Sequence, residues 1–243
     1  MNKKASLNWL IEKPIAHRGL HKHGTHYVEN SAPAIEAAIQ NGFAIEIDLQ
    51  QTKDHQAIVF HDYKLDRLTN KQGWVKNYNS KDLQNIEITG SNSTILSLQD
   101  LLDTVAGRTS LVIEIKADSS TKHLDEFCAY IGSVLSSYTG PVAVMSFHPL
   151  AIRWFAKNKP NICRGMVLEV TKKWWNIFPA WHRERYCAMA HAQFVAHDIQ
   201  SLPDRFTQNW RKKHGPLLTW TVRTEEDRAI AEHYADQIIF ENV

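Results

Sequence analysis

Cysteine is scarce. The three in 243 residues, Cys128, Cys163 and Cys187, are far apart and none belongs to a C-x-x-C pair. An odd, scattered set of this kind excludes a disulfide framework and a zinc ribbon, and fits a reducing compartment. No apolar run approaches the length that spans a bilayer. The stretch after Lys3 and Lys4 is too short for a signal-peptide core and is interrupted by Asn8 and Glu12, so a cytoplasmic protein is expected. Charge of one sign is missing too: 28 Lys and Arg face 26 Asp and Glu, interspersed, which leaves no electrostatic footprint for nucleic acid. No repeat, linker or low-complexity tract divides the chain, and residues 1–243 are expected to form a single domain.

Residues 42–62, GFAIEIDLQQTKDHQAIVFHD, carry the first positive signal. Phe43, Ile45, Ile47 and Leu49 alternate with Ala44, Glu46 and Asp48, which predicts a strand with both carboxylates on one face. Residues 52–55 have turn composition, and residues 57–60 form a second apolar strand that delivers His61 and Asp62. The gap is too short for a parallel crossover, so the two strands form an antiparallel hairpin. Folding back brings His61 towards the level of Glu46 and Asp48.

The rest of the chain alternates. A short strand ends at His17-Arg18-Gly19, and Asn30 or Ser31 caps a helix whose apolar stripe is Ala34, Ile35, Ala37, Ala38 and Ile39. Residues 63–95 read as a small polar insertion, and Ser97 caps a helix to about residue 106. Helices are expected at 121–138, 149–158, 183–191, 202–213 and 224–234. Leaving out the return strand of the hairpin, parallel strands begin near Ile15, Phe43, Leu111, Val142, Arg164, Phe194, Leu217 and Gln237. Eight strands interleaved with helices in a chain of this length predict an α/β fold, a (β/α)8 TIM barrel with an extra β-hairpin. A doubly wound open sheet is the structural alternative. No eighth outer helix is expected after the last strand, and residues 7–11 should cover part of the barrel instead.

In a barrel, His17, Arg18, Glu46, Asp48, His61, Glu114 and Lys116 fall at the functional ends of the strands. Three ionised carboxylates about 4 Å apart repel by roughly 4 kcal/mol per pair at an effective dielectric near 20, about 10 kcal/mol in all, comparable with the stability of a domain. Something positive must sit among Glu46, Asp48 and Glu114. Lys116 could serve alone, but three oxygen ligands suit one divalent cation, Mg²⁺ or Ca²⁺. Arg18 and Lys116 would neutralise phosphate oxygens, and His17 and His61 would divide general acid and general base between them, in either order.

The motifs Ala16-His17-Arg18-Gly19, Glu29-Asn30-Ser31, Glu46-Ile47-Asp48, His61-Asp62, Glu114-Ile115-Lys116, Ser146-Phe147 and Trp220-Thr221-Val222 resemble, in order and spacing, those of the glycerophosphodiester phosphodiesterase family. The resemblance covers nearly the whole chain. It implies a metal-dependent barrel enzyme that hydrolyses glycerophosphodiesters to glycerol 3-phosphate and an alcohol. It implies Glu46, Asp48 and Glu114 as metal ligands, His17 and His61 as the acid-base pair, Arg18 and Lys116 as phosphate contacts, and Trp220 as a wall against the glycerol moiety. Val28 stands where the family has proline, and Glu241 stands where the family ends on an aspartate.

Residues 172–181 mix Lys172 and Lys173 with Trp174, Trp175, Phe178 and Trp181. Such a stretch is expected either to pack on the barrel or to touch a membrane surface and widen the substrate range to lysophospholipids. Two further readings follow for the chain: a lysophospholipase D or sphingomyelinase-D-like enzyme, and a catalytically silent phosphate-binding module.

Overall fold

A computed structural model of the protein describes residues 5–169 and 180–241. After β1 (Ile15–Ala16), the cap of α1 (Ala32–Gln40) is Ser31, one of the two candidates, whose hydroxyl accepts from the Ala34 N–H. The alternating segment becomes β2 (Ala44–Gln51), buried from Ala44 to Gln50. Burial of both faces is the mark of a strand inside a parallel sheet, so its two carboxylates are enclosed. The return strand β3 (Ala57–Val59) pairs antiparallel with it, Leu49 opposite Val59 and Gln51 opposite Ala57.

The insertion is less irregular than its composition suggests. It contains α2 (Ser80–Leu83) and a two-stranded ribbon of β4 (Glu87–Ile88) and β5 (Ser93–Thr94). Leu65, Val75, Leu83, Ile86, Ile88 and Ile95 form a small core against Ile58 and Phe60 of the hairpin. The cap Ser97 and Asp100 form a reciprocal capping box at the start of α3 (Leu98–Val105). Next comes β6 (Leu111–Ile115), parallel to β2 with Asp48 beside Glu114, and then α4 (Leu124–Leu135). That helix is shorter than predicted: His123, at φ 55°, lies in the left-handed region and starts it late.

The chain packs as two compact units, residues 16–142 and residues 1–15 with 143–243. In the second unit β7 (Val142–Ser146), α5 (Pro149–Asn158), β8 (Cys163–Leu168), α6 (Ala180–Met189), β9 (Phe194–Asp198), α7 (Arg205–Lys213), β10 (Leu217–Val222), α8 (Glu225–Tyr234) and β11 (Gln237–Phe240) alternate. The strands β7 to β11 pair in parallel in chain order. On β8, Gly165 leaves room for its neighbour: a Cβ there would stand 2.4 Å from the Phe194 ring. Leu7 and Leu10, on a 3-10 turn, are buried, and Gln237 donates to the Ile11 carbonyl, so the N-terminal segment packs on this unit. Among the described residues, β1, β2 and β6 to β11 are the eight strands of a (β/α)8 barrel, and β3 is an added antiparallel strand. The open-sheet alternative is not adopted.

Candidate active site

The acids come from two adjacent strands. Glu46 and Asp48 are two apart on β2 and share a face, and the β2–β6 register sets Glu114 beside Asp48. All three are buried, Glu46 and Asp48 fully. One oxygen from each lies within 4.8 Å of the others. Lys116 Nζ bridges two of them, 2.9 Å from Asp48 Oδ1 and 2.8 Å from Glu114 Oε1. Arg18 Nε stands 3.3 Å from Asp48 Oδ2, and the Arg18 backbone N–H donates to Glu46 Oε2 at 3.1 Å. Asn30 clasps Asp48 twice: its Nδ2 donates to Oδ2 at 2.9 Å and its Oδ1 accepts from the Asp48 N–H at 3.3 Å.

The turn that presents Arg18 is tight. Arg18, Gly19 and Asn30 all have positive φ, 56°, 79° and 59°. A Cβ at Gly19 would approach the Ala34 carbonyl carbon to 2.9 Å, so glycine is required on both counts.

Two cations face three carboxylates, and the charges divide unevenly. Burial alone would raise the Asp48 carboxyl, but Lys116 and Arg18 outweigh it and hold it well below the usual range. Burial would lower the Lys116 ammonium, yet Asp48 and Glu114 hold it above its ordinary value. Glu46 is the acid left over. Burial, then the charges of Asp48 and Glu114, push its carboxyl well above the usual value, and its Oε1 is buried without a hydrogen-bond partner. A donor set of three buried carboxylates with an orphaned oxygen fits a divalent cation.

Two histidines complete the cluster. His17 is buried after β1, with Nε2 3.8 Å from Glu46 Oε2. His61 follows β3, and its carbonyl accepts from Gln50 Nε2 at 2.8 Å. Both imidazoles act electrostatically on Asp48. Burial lowers the His61 pKa below its ordinary value against the pull of Asp48. Its Nδ1 lies 2.7 Å from Asp62 Oδ1, so an Nδ1–H tautomer donates to that carboxylate and leaves Nε2 for chemistry. Asp62 in turn accepts from Arg67 Nε and Nη2 at 2.6 and 2.9 Å. Arg67 grips Glu29 with two hydrogen bonds of 2.7 and 2.8 Å, and Glu29 accepts from Arg18 Nη1 at 2.8 Å. A chain of charges thus runs from His61 through Asp62, Arg67 and Glu29 to Arg18.

The structure therefore brings His17, Arg18, Glu46, Asp48, His61, Glu114 and Lys116 together within residues 16–142. Trp220 belongs to the other unit, on β10, where its ring meets Phe147 edge-on at 5.7 Å. Glu241 accepts from Arg223 Nε at 2.7 Å. Trp174 and Trp175 lie outside the described residues, and Trp181, on α6, is 53% exposed. The orienting roles of Asn30, Asp62, Glu29 and Arg67 were not read from the sequence. The first three stand inside the quoted motifs, whereas Arg67 lies in the insertion, where no periodicity marks it. Beside Lys116 opens a cavity of about 440 Å³, lined among others by Tyr63, Trp74, Lys76 and Asp118.

Residues 17–242 match the model of the glycerophosphoryl diester phosphodiesterase family. A glycerophosphodiester phosphodiesterase of Bacillus altitudinis is 34% identical over 162 residues, covering 63% of this chain and 64% of that protein. This chain thus spans just under two thirds of that relative's length. One from Caldanaerobacter subterraneus is 26% identical over 231 residues, 88% of this chain and 86% of that protein. Among solved structures, an Oleispira antarctica phosphodiesterase in complex with the product sn-glycerol-3-phosphate superposes with a TM-score of 0.80 at 20% identity, covering 93% of this chain and 91% of that one. A glycerophosphodiester phosphodiesterase of Thermotoga maritima gives 0.74 at 19% identity, covering 93% and 92%. At those identities the likeness is one of fold.

Proposed function

This chain belongs to the glycerophosphoryl diester phosphodiesterase family, and from that premise we propose that it hydrolyses glycerophosphodiesters, of the glycerophosphocholine type, to sn-glycerol 3-phosphate and an alcohol. The observation that carries the reading is the buried set Glu46, Asp48 and Glu114, flanked by His17 and His61 and backed by Arg18 and Lys116. The product bound by the Oleispira antarctica phosphodiesterase, which has the same fold, supports the substrate class.

Glu46, Asp48 and Glu114 would hold one divalent cation, Mg²⁺ or Ca²⁺, which would supply Lewis acidity at a phosphoryl oxygen. Arg18 and Lys116 bind the phosphate. Lys116 Nζ lies 2.9 Å from Asp48 and 2.8 Å from Glu114, and with three ammonium protons it keeps donor capacity for a phosphoryl oxygen. One imidazole takes the proton of the attacking hydroxyl or water, and the other delivers a proton to the departing alcohol. Asp62 keeps the His61 ring turned and its tautomer fixed for that exchange. Trp220 is proposed as a wall against glycerol. A cytoplasmic enzyme of glycerol and lipid metabolism is consistent with three free, buried cysteines.

The test is the release of glycerol 3-phosphate from glycerophosphocholine by purified protein. Chelation should abolish release and added Mg²⁺ or Ca²⁺ restore it. His17→Ala and His61→Ala should each lower kcat by about 10²–10⁴-fold, the usual worth of an acid-base group. Activity that survives both substitutions would sink the assignment.

A further inference from the structure

The cavity beside Lys116 is also lined by two histidines that the reaction does not use, His55 and His123. His55 sits in the turn between β2 and β3, and His123 caps α4; both have positive φ, 58° and 55°. Their rings are 4.4 Å apart, inclined at 36°. Glu126, on the first turn of α4, reaches both. Its Oε1 is 2.9 Å from His123 Nδ1 and its Oε2 is 3.6 Å from His55 Nε2. One ligand atom from each of the three lies within 4.8 Å of the others.

The spacing has a chemical meaning. A tetrahedral zinc ion with bonds of 2.0–2.1 Å holds its ligand atoms about 3.3 Å apart. The separations from His123 Nδ1 to Glu126 Oε1 and from His55 Nε2 to Glu126 Oε2, 2.9 and 3.6 Å, lie on either side of that value, one to each carboxylate oxygen. Behind the ligands, Gln51 Nε2 is 3.3 Å from His55 Nδ1 and 3.4 Å from the His123 carbonyl, which leaves His55 Nε2 as the nitrogen that faces Glu126. A contact of this kind, made behind a ligand to its other ring nitrogen, fixes the orientation of a ligating ring. The N-terminal end of α4 carries a positive dipole that opposes a cation, but Asp125 and Glu126 in the first turn offset it.

We propose that His55, His123 and Glu126 form a second metal site, separate from the carboxylate cluster, that takes a zinc-type transition ion and ties the β2–β3 turn to the start of α4. Two imidazoles and one carboxylate favour Zn²⁺, Ni²⁺ or Cu²⁺ over Mg²⁺ and Ca²⁺, whereas Glu46, Asp48 and Glu114 offer only oxygen. The two clusters share no residue, so one chain sorts hard from borderline cations. This inference does not depend on the hydrolase reading.

Tag-free protein in excess Mg²⁺, titrated calorimetrically with Zn²⁺, tests it. The wild type should bind one equivalent that His55→Ala and His123→Ala each remove, with circular dichroism unchanged. Gln51→Ala should weaken that equivalent by about 10–100-fold, and Glu126→Gln, which keeps the shape of the side chain, should weaken it as well. Co²⁺ in place of Zn²⁺ should give visible bands of tetrahedral coordination that vanish in the same histidine variants. An equivalent bound as tightly by both histidine variants as by wild type, or no Zn²⁺ binding at all, would overturn the proposal.

Discussion

Asp62 shows how one side chain sets the state of another. Burial alone would raise its carboxyl, but hydrogen bonds from Arg67 and then His61 outweigh burial and hold it at about 2. An unfolded aspartate titrates near 3.9, so the folded value is depressed and the contribution to stability is present above about pH 4. It is lost as pH falls towards 2. Asp62→Asn removes it, so the Tm deficit of that variant, measured by thermal melts, should be widest near pH 6 and close as the pH is lowered to 2. A deficit independent of pH would remove the charge from the account. At this scale the sequence was legible wherever a residue lay on an alternating strand: Glu46, Asp48, Glu114 and Lys116 follow from period two alone. Asn30 and Arg67 were not legible, because one works from a left-handed turn and the other reaches Glu29 across 38 residues of chain.

The hairpin of β2 and β3 is the element that makes the cluster possible. Its short turn was readable from spacing, since no parallel crossover fits between residues 51 and 57. The insertion after it was not. Elements of two and four residues, such as β4, β5 and α2, are too short to display a period, and their apolar residues looked scattered in a polar segment. Folded, those residues pack with Ile58 and Phe60, the second of which is the residue before His61. Leu83 is fully buried there, so Leu83→Ala should cost about 2–5 kcal/mol in denaturant unfolding. A cost under about 1 kcal/mol would mean that the segment is a loose appendage. The late start of α4 has a similar lesson: apolar periodicity said where a helix could run, and the backbone of His123 decided where it begins.

For the molecule as a whole, the formal charge is +2 and no helix among the described residues is long and apolar enough to cross a membrane. The exposed Trp181, together with Trp174 and Trp175 a few residues earlier in the sequence, motivates the proposal of contact with a lipid surface. Alanine at Trp174 and Trp175 should then lower turnover of micellar lysophospholipid more than turnover of glycerophosphocholine. Equal losses on both substrates would reject it. The order of strands and helices was legible at this scale because an eight-fold alternation is long enough to count, while the faces that meet a partner leave no such rhythm.

Lys116, wedged between Asp48 and Glu114, has a consequence for hard times. Its ammonium supplies positive charge beside two of the three buried acids whether or not a metal is bound. On the proposed metal-dependent reading, protein stripped of divalent metal should lose activity while its Tm in thermal melts stays close to that of the loaded protein, and resupply should restore activity without refolding.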